Sequence, residues 1–192
     1  GTLIFKLAPE TGLPAGVSSI GSISGIANSI AVHVLTTGGT MAVNLGKVDG
    51  TVAVYLHSTG GTLGVNVGKI EGTTAIFLQG TGGTVGVRVG QVDGSIAVHL
   101  VGTGGTLGIN VGKIDDNVSV KFATVSGTAG VNIGKIDGTI QTNIGKIDDV
   151  VSVRFNTVAG TAGVNLGKVD GTIQVNVGKI SDTIAVWLTG TS

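Results

Sequence analysis

An 11-residue repeat runs through most of this chain and restricts its fold more than any other feature. From residue 28 to residue 192 the sequence divides, without insertion or deletion, into fifteen units such as GTLGVNVGKIE and GTVAVYLHSTG. A strict short period is typical of repeat architectures, in which neighbouring units stack and bury a continuous core. We therefore expect every unit to occupy an equivalent place in the fold.

Each unit has the pattern of one β-strand followed by one turn. Places three, five and seven are apolar, as in Leu63, Val65 and Val67. Alternation with a period of two indicates a half-buried strand, and junctions such as Asp49-Gly50 supply turn residues. The sequence therefore predicts an all-β fold. Place ten of many units should add a further side chain to the core: Val48, Ile70, Val92 and Ile114.

The order of the units leaves three architectures open. A units resemble GTLGVNVGKID and B units resemble GTVAVYLHSTG; they repeat every 22 residues in the first half and every 33 in the second. The chain could form a solitary β-solenoid, a β-helix interlaced from three chains, or an antiparallel meander packed in a trimer. A solitary solenoid would have to change its coil length near Gly138, whereas a threefold winding accepts any order of units. We therefore predict a β-helix or β-prism fibre, an intertwined homotrimer, with a monomeric β-solenoid as the alternative.

Residues 1–27 do not follow the repeat. This segment contains Pro9 and Pro14 after a short apolar run. Terminal segments of repeat arrays are commonly atypical. We interpret 1–27 as an N-terminal cap or attachment segment and 28–192 as the repeat domain. The residues predicted to make the attachment are Leu3, Ile4, Phe5 and Leu7.

The charge balance and the missing cysteines exclude several classes of partner and cofactor. Eleven basic residues balance eleven acidic ones, so the net charge provides no attraction to nucleic acid. Apolar runs are too short for a membrane helix, and we expect no membrane insertion. Without cysteine there is no thiolate metal site and no disulfide. We expect no cofactor.

Acidic side chains and histidines are the candidates for chemistry. His33, His57 and His99 have no carboxylate at a metal-ligand spacing, so we predict surface histidines. The doublets Asp115-Asp116 and Asp148-Asp149 suggest Ca²⁺ ligands, but the nonapeptide of calcium-binding β-rolls is absent. Carboxylates at place eleven recur with lysines at place nine and are expected to form surface pairs. A catalytic site needs one singular pocket, so we predict no enzyme, with no catalytic, cofactor or metal residue.

Place six of the B units is the most informative outward position. Large side chains recur there, and in a row they could contact a glycan or a protein. The predicted surface-contact residues are His33, Tyr55, Phe77, His99, Lys121, Arg154 and Trp187.

The tandem GTLGVNVGKIDG-like units, rich in glycine and free of cysteine, resemble the repetitive segments of bacteriophage tail fibres and minor tail proteins, especially those of phages that infect actinobacteria. The resemblance covers the repeat region and carries over no functional residue. It implies a trimeric structural component of the virion tail, extracellular, with residues 1–27 bound to other tail proteins and with possible contact to a host surface glycan or protein.

Two other functions compete with this interpretation. An ice-binding β-solenoid is suggested by threonine at place two, although a single rank in a turn differs from the paired ranks of such proteins. A bacterial surface adhesin is the third class, and its secretion or anchoring signal is not visible. The threonines concerned are Thr40, Thr51, Thr62, Thr73, Thr84 and Thr106.

Overall fold

The chain folds into strands that alternate between two parallel sheets. The computed structural model describes residues 3–7, 17–23, 29–35, 40–57, 60–79, 82–101, 104–168 and 170–189, which contain seventeen strands and no helix. The all-β prediction is confirmed for these residues. The strands are β1 (Leu3–Leu7), β2 (Val17–Ile23), β3 (Ile30–Leu35), β4 (Thr40–Val48), β5 (Val52–His57), β6 (Thr62–Ile70), β7 (Thr74–Gln79), β8 (Thr84–Val92), β9 (Ile96–Val101), β10 (Thr106–Ile114), β11 (Val118–Val125), β12 (Thr128–Ile136), β13 (Ile140–Ile147), β14 (Val150–Val158), β15 (Ala162–Leu166), β16 (Thr172–Ile180) and β17 (Ile184–Leu188).

Two consecutive 11-residue units make one coil of a β-solenoid. The nine odd-numbered strands form one sheet and the eight even-numbered strands form the other, each in sequence order. Every neighbouring pair in a sheet is parallel, and from β3 onward the paired residues are 22 apart, as in Val65 and Val87. A single chain thus builds both sheets and the core between them. This is the architecture that the sequence interpretation kept as its alternative.

The expected change to a longer coil near Gly138 does not occur. Val118 pairs with Ile140, and Val150 pairs with Thr172, so the 22-residue register continues through the second half. The reason is that A and B units carry the same inward places and can therefore occupy either sheet. The argument against a solitary solenoid was wrong on this point.

The alternating side chains form one continuous hydrophobic core. Val65 and Val67 of β6 are buried, while Asn66 between them is exposed. Ile70, at place ten, is also fully buried, as are Val48, Val92 and Ile114. Burial of this kind stabilises by about 25 cal/mol per Å² of apolar surface, so repetition along the axis supplies the cohesion that no disulfide provides. The prediction for places three, five, seven and ten is confirmed for the described coils between the ends.

Glycine at place eight allows consecutive coils to approach closely. A Cβ added to Gly68 would lie 2.8 Å from the carbonyl oxygen of Gly46 in the preceding coil. Place four differs, because none of the described atoms outside the adjacent residues lies within 4 Å of a Cβ added to Gly64 or Gly86. Glycine at place eight of β6 is therefore in close contact with the preceding coil, whereas contacts with the described residues do not require glycine at place four.

Residues 1–27 contribute the first strand of each sheet. β1 pairs in parallel with β3, and β2 pairs with β4 with a bulge between Ile20 and Ile23. In this register Leu3 and Phe5 stand beside Ile30 and Val32, both of which are buried. β1 and β2 are thus part of the two sheets, and the assignment of residues 1–27 as an attachment element stays a prediction.

The last coil is much more exposed than those before it. Ile184 and Val186 of β17 are 48% and 54% exposed, although Ala162 and Val164, their neighbours in β15, are buried. The alternation predicted Ile184 and Val186 as inward core residues; they occupy that side of the strand, but no described strand follows β17 in its sheet. Their exposure follows from the lack of a described neighbouring strand on that side.

Candidate functional site

A row of aromatic side chains lies on the outer surface of the nine-stranded sheet. The 22-residue register places His33 beside Tyr55, Tyr55 beside Phe77, and Phe77 beside His99 on successive strands. We call these four residues the aromatic row. All four are half-buried, and Lys121 follows His99 in the same register. The structure therefore brings together five of the seven residues predicted for surface contact.

The rings of the aromatic row are in direct contact along the solenoid axis. The Tyr55 and Phe77 rings stack with centroids 5.0 Å apart and an interplanar angle of 4°. His33 meets Tyr55 edge to face at 4.7 Å, and His99 meets Phe77 edge to face at 5.1 Å. Such pairs contribute about 0.5–1.5 kcal/mol each beyond their burial. Stacking covers one face each of Tyr55 and Phe77, so their edges are available to a ligand.

Polar groups beside the row hold it in place. The Tyr55 hydroxyl donates to Gln79 Oε1 at 3.5 Å, and His57 Nδ1 lies 3.3 Å from the same oxygen. His33 Nε2 is buried, without a hydrogen-bond partner among the described residues. The three histidines His33, His57 and His99 were predicted to lie on the surface. All three are half-buried, so they are packed against neighbouring side chains and are not fully exposed to solvent.

The two remaining predicted contact residues lie elsewhere. Trp187 lies on the same line of paired residues as the aromatic row, but Asn143 and Asn165 separate it from that row. Its side chain is 55% exposed. Arg154 lies on the eight-stranded sheet, paired with Asn132 and Asn176. Arg154 is outward as expected but lies on the other sheet, because the two adjacent A units at 127–148 shift the next B unit onto that sheet.

Place six on the outer surface of the eight-stranded sheet is occupied mainly by asparagine. Asn66 Nδ2 donates to Asn44 Oδ1 across neighbouring strands at 3.0 Å. A shallow groove of about 350 Å³ lies on this surface and is lined in part by Gly90, Gly112 and Gly134. Its polar lining consists of Arg88, Asn110, Asn132 and Asn156. A second groove of about 350 Å³ on the other sheet is lined by Lys121, Asn143, Asn165 and Thr189, with Gly145 and Gly167. Both are open channels between rows of side chains.

Lysines and carboxylates at one corner of the solenoid form a ladder of ion pairs. Lys47 contacts Asp49 of its own coil at 2.8 Å and Glu71 of the next coil at 3.1 Å. Hydrogen bonds from Lys69 and then Gln91 lower the pKa of Asp93, and the hydrogen bond to Asp93 is the main cause that raises the pKa of Lys69. These groups are exposed, so solvent screens each pair. The further pairs are Lys69–Glu71, Lys69–Asp93, Lys113–Asp115, Lys135–Asp137, Lys146–Asp148 and Lys168–Asp170.

Three of the four carboxylates considered as calcium ligands contact other protein groups. Asp115 pairs with Lys113, and Asp116 Oδ2 accepts a hydrogen bond from the Ser95 hydroxyl at 2.9 Å. Asp148 pairs with Lys146. Among the residues that the structure describes, no group of three His, Cys, Asp or Glu side chains could hold a metal ion.

Threonine at place two forms a regular exposed row on the eight-stranded sheet. Thr62, Thr84, Thr106 and Thr128 are in register on successive strands, and each is the first residue of its strand. The expectation that this rank lies in a turn was therefore wrong for these threonines. Their hydroxyls recur once per coil along the axis.

Two buried hydroxyls were missed in the sequence analysis. Thr74 and Thr142 occupy inward places of the nine-stranded sheet, and neither side-chain oxygen has a hydrogen-bond partner among the residues that the structure describes. The signal was present in the sequence, since both stand where other units have Val, Ile or Leu. A buried hydroxyl without a partner costs about 1–3 kcal/mol.

The described residues define a parallel, two-sheet β-solenoid whose surface chemistry is arranged in rows. They contain no helix of the length and apolarity required to cross a membrane. In comparisons with protein-family models, with curated proteins and with solved structures, nothing matches this chain.

Proposed function

We propose that this chain is a non-enzymatic structural component of a phage tail, a fibre or tail-tip protein, in which the solenoid is a rod that carries a contact surface. The main support is the unbroken 22-residue register from β3 to β17. Nine strands at about 4.8 Å spacing give a rod about 40 Å long. The rod presents similar chemistry at each coil, which suits a spacer better than a catalyst.

The aromatic row is the part of the rod that we assign to contact with the host. Interfaces are enriched in aromatic residues, and here four rings are already ordered by contact with one another. Binding therefore loses little side-chain entropy. The partner in this proposal is a surface glycan or protein that lies along the ring edges of Tyr55 and Phe77.

We also propose that three copies associate in the virion, side by side, since each chain closes its own core. The glycines at place four of the eight-stranded sheet support close lateral packing. Nothing lies within 4 Å of an added Cβ at Gly64, Gly86 and Gly108. A glycine inside a strand often marks a position that another backbone approaches closely. In the same proposal, residues 1–27 bind the neighbouring tail proteins through Leu3, Ile4, Phe5 and Leu7.

The contact role is tested by binding of the purified chain to intact actinobacterial cells. The double variant Tyr55→Ala, Phe77→Ala should lose at least about tenfold in affinity, equivalent to about 1.4 kcal/mol. The matched control is Asn143→Ala, Asn165→Ala, which changes two rungs of the same register without touching the aromatic row. Equal binding by the two double variants would contradict the assignment. The tail location is tested by mass spectrometry of purified virions, whose proteins should include this chain.

Ice binding is a second candidate, favoured by the exposed, in-register row of Thr62, Thr84, Thr106 and Thr128. Repeating hydroxyls at one coil spacing present a regular surface to water. Thermal hysteresis in a freezing assay, lost in Thr84→Lys, would favour this function. Absence of thermal hysteresis at millimolar protein would rule out ice binding.

A further inference from the structure

Both arginines of the chain lie on one line of paired residues across the eight-stranded sheet. Arg88 of β8 pairs with Asn110 of β10. Asn132 of β12 pairs with Asn110 on one side and with Arg154 of β14 on the other. All four side chains are exposed, and we call them the arginine line. Three strand spacings, about 14 Å, therefore separate the two arginines, with two amides between them.

The two arginines have no anionic partner within the described part of the chain. The strands of the eight-stranded sheet contain neither Asp nor Glu. Carboxylates of these coils lie at place eleven, where they form ion pairs with lysines: Asp93 with Lys69, Asp115 with Lys113, and Asp137 with Lys135. Among the residues that the structure describes, Arg88 and Arg154 form no ion pair. The outer surface of this sheet thus presents two uncompensated positive charges.

A groove of about 350 Å³ lies beside the arginine line. Arg88, Asn110 and Asn132 line it along one side, and the glycines at place eight leave the backbone accessible to a ligand. In β14, place eight is Asn156, which also lines the groove and lies two residues from Arg154. The groove therefore has a guanidinium group near each end and amide groups between them.

The amides of the arginine line are free to bind a ligand. Asn110 and Asn132 form no side-chain hydrogen bond to other described residues. Each amide offers two donors and one acceptor oxygen, which match the hydroxyl groups of a sugar. The groove on the nine-stranded sheet differs, because Asn165 Nδ2 donates to Asn143 Oδ1 at 3.3 Å and Lys121 is the one charged residue in its lining. The eight-stranded sheet thus offers more unsatisfied polar groups.

We propose that this groove binds a linear acidic polysaccharide. Two anionic groups of the glycan contact Arg88 and Arg154, and hydroxyl groups of the intervening sugars contact Asn110 and Asn132. A guanidinium group can donate two parallel hydrogen bonds to one carboxylate. The strand spacing of about 4.8 Å is close to the length of one sugar residue, so successive sugars can meet successive side chains. The site lies on the sheet opposite the aromatic row and does not depend on a role in a phage tail.

Nucleic acid is another linear polyanion, and the groove suits it less well. Binding of nucleic acid depends on neutralisation of many phosphates, and single strands also stack their bases on aromatic side chains. The arginine line has only two cations. Phe155 is the one aromatic residue in the strands of this sheet, and it is buried in the core. The surface therefore lacks a stacking platform, whereas its amides remain suited to hydroxyl groups.

Isothermal titration calorimetry of the 192-residue chain tests the site with a hexamer of galacturonic acid as the probe. The titration is carried out in about 10 mM salt, where the Debye length is about 30 Å. The wild type should bind the hexamer at least about tenfold more tightly than its methyl ester, which has the same sugars without charge. The double variant Arg88→Gln, Arg154→Gln should lose at least about tenfold in affinity for the acid. Both arginines are exposed, so the fold should persist, which far-UV circular dichroism checks.

Three control variants separate the parts of the proposal. Lys121→Gln removes an exposed cation of the nine-stranded sheet and should bind the hexamer as the wild type does. Asn110→Ala, Asn132→Ala keeps both arginines and should still weaken binding, because the hydrogen bonds to hydroxyl groups are lost. Tyr55→Ala, Phe77→Ala should leave this binding unchanged, so that failure of the present site and failure of the aromatic row are distinguished.

Several results would overturn the proposal. These are no binding of the hexamer by the wild type, equal binding of its methyl ester, and equal binding by the double arginine variant. An equal loss in Lys121→Gln or in the aromatic double variant would place the site elsewhere, and unchanged binding by the asparagine variant would remove the recognition of hydroxyl groups. A thymidine hexanucleotide that binds as tightly as the hexamer would indicate a nucleic-acid site in place of a glycan site.

Discussion

Two glycines of one strand should respond in opposite directions to the same substitution. Gly64 and Gly68 both lie in β6, at places four and eight of their unit. Nothing lies within 4 Å of a Cβ added to Gly64, whereas a Cβ on Gly68 would lie 2.8 Å from the Gly46 carbonyl oxygen. The change to alanine restricts the unfolded chain equally at the two positions, so the difference between the variants reports on the folded state alone.

The size of the difference follows from these contacts. Replacing glycine by alanine without strain stabilises by about 0.4–1 kcal/mol, through the lower entropy of the unfolded chain. For Gly64→Ala this gain should appear in full. In Gly68→Ala the two coils must separate by about 0.6 Å to restore an ordinary contact, and overpacking of this kind costs about 1–3 kcal/mol. We expect Gly68→Ala to be less stable than Gly64→Ala by about 2 kcal/mol.

Urea unfolding followed by far-UV circular dichroism measures this difference. With a slope of about 2 kcal/mol per molar urea, the two midpoints should differ by about 1 M. The slope itself should agree among the wild type and both variants, since the same surface is exposed on unfolding. Equal midpoints for Gly64→Ala and Gly68→Ala would show that the coils are not in close contact at place eight, and the 22-residue coil would then need revision.

Further substitutions test the core, the buried hydroxyls and the ion-pair ladder. Val65→Asp buries a carboxylate without a partner and should lower the unfolding free energy by more than about 4 kcal/mol. Asn66→Asp loses only the hydrogen bond donated to Asn44 and should lower it by less than about 1 kcal/mol. Similar decreases in melting temperature for the two variants would refute the assigned inward face. Thr142→Val removes a hydroxyl without a partner and should raise the unfolding free energy by about 1 kcal/mol, measured in urea, and a loss of stability would reveal a hydrogen bond there. Because the pKa of Asp93 is lowered in the folded state, its carboxylate stabilises the fold above the unfolded pKa of 3.8, and this stabilisation is lost as the pH falls through the folded pKa. Asp93→Asn should therefore reduce the fall in melting temperature on acidification. An unchanged dependence of melting temperature on pH would argue against the ion pair with Lys69.

The local structure of a unit could be predicted from the sequence because two short-range signals agree. Alternation assigned Val65 and Val67 to the core, and the glycine-rich junctions assigned the turns. Burial of Ile70 at place ten could also be predicted, since an apolar residue in a polar turn has few other environments. These inferences depend only on residues within one unit.

The number of units per coil could not be predicted in the same way. Pairing between Val118 and Ile140 is a long-range property, and A and B units offer the same apolar places to any neighbour. The 33-residue period therefore suggested a change of coil that the backbone does not make. The positions of the outward side chains share this dependence. Their outward direction could be predicted, but which of them lie side by side could not, because the sheet that carries Arg154, for example, depends on how many units precede it.

Because a coil consists of two units, the number of preceding units, odd or even, decides which sheet a unit joins. This number determines which outward side chains lie side by side, whereas the core is the same in either case. Removal of residues 138–148 would join two 11-residue units in correct spacing, and each later strand would still bury its inward places. Every later unit would, however, change sheets, so Arg154 would move into line with Lys121 and Trp187 would leave that line. Duplication or loss of a single unit thus exchanges the chemistry of the two faces beyond that point, and a change of two units restores it. Recombination among these similar units can vary the outward side chains of each sheet while the inward places stay apolar.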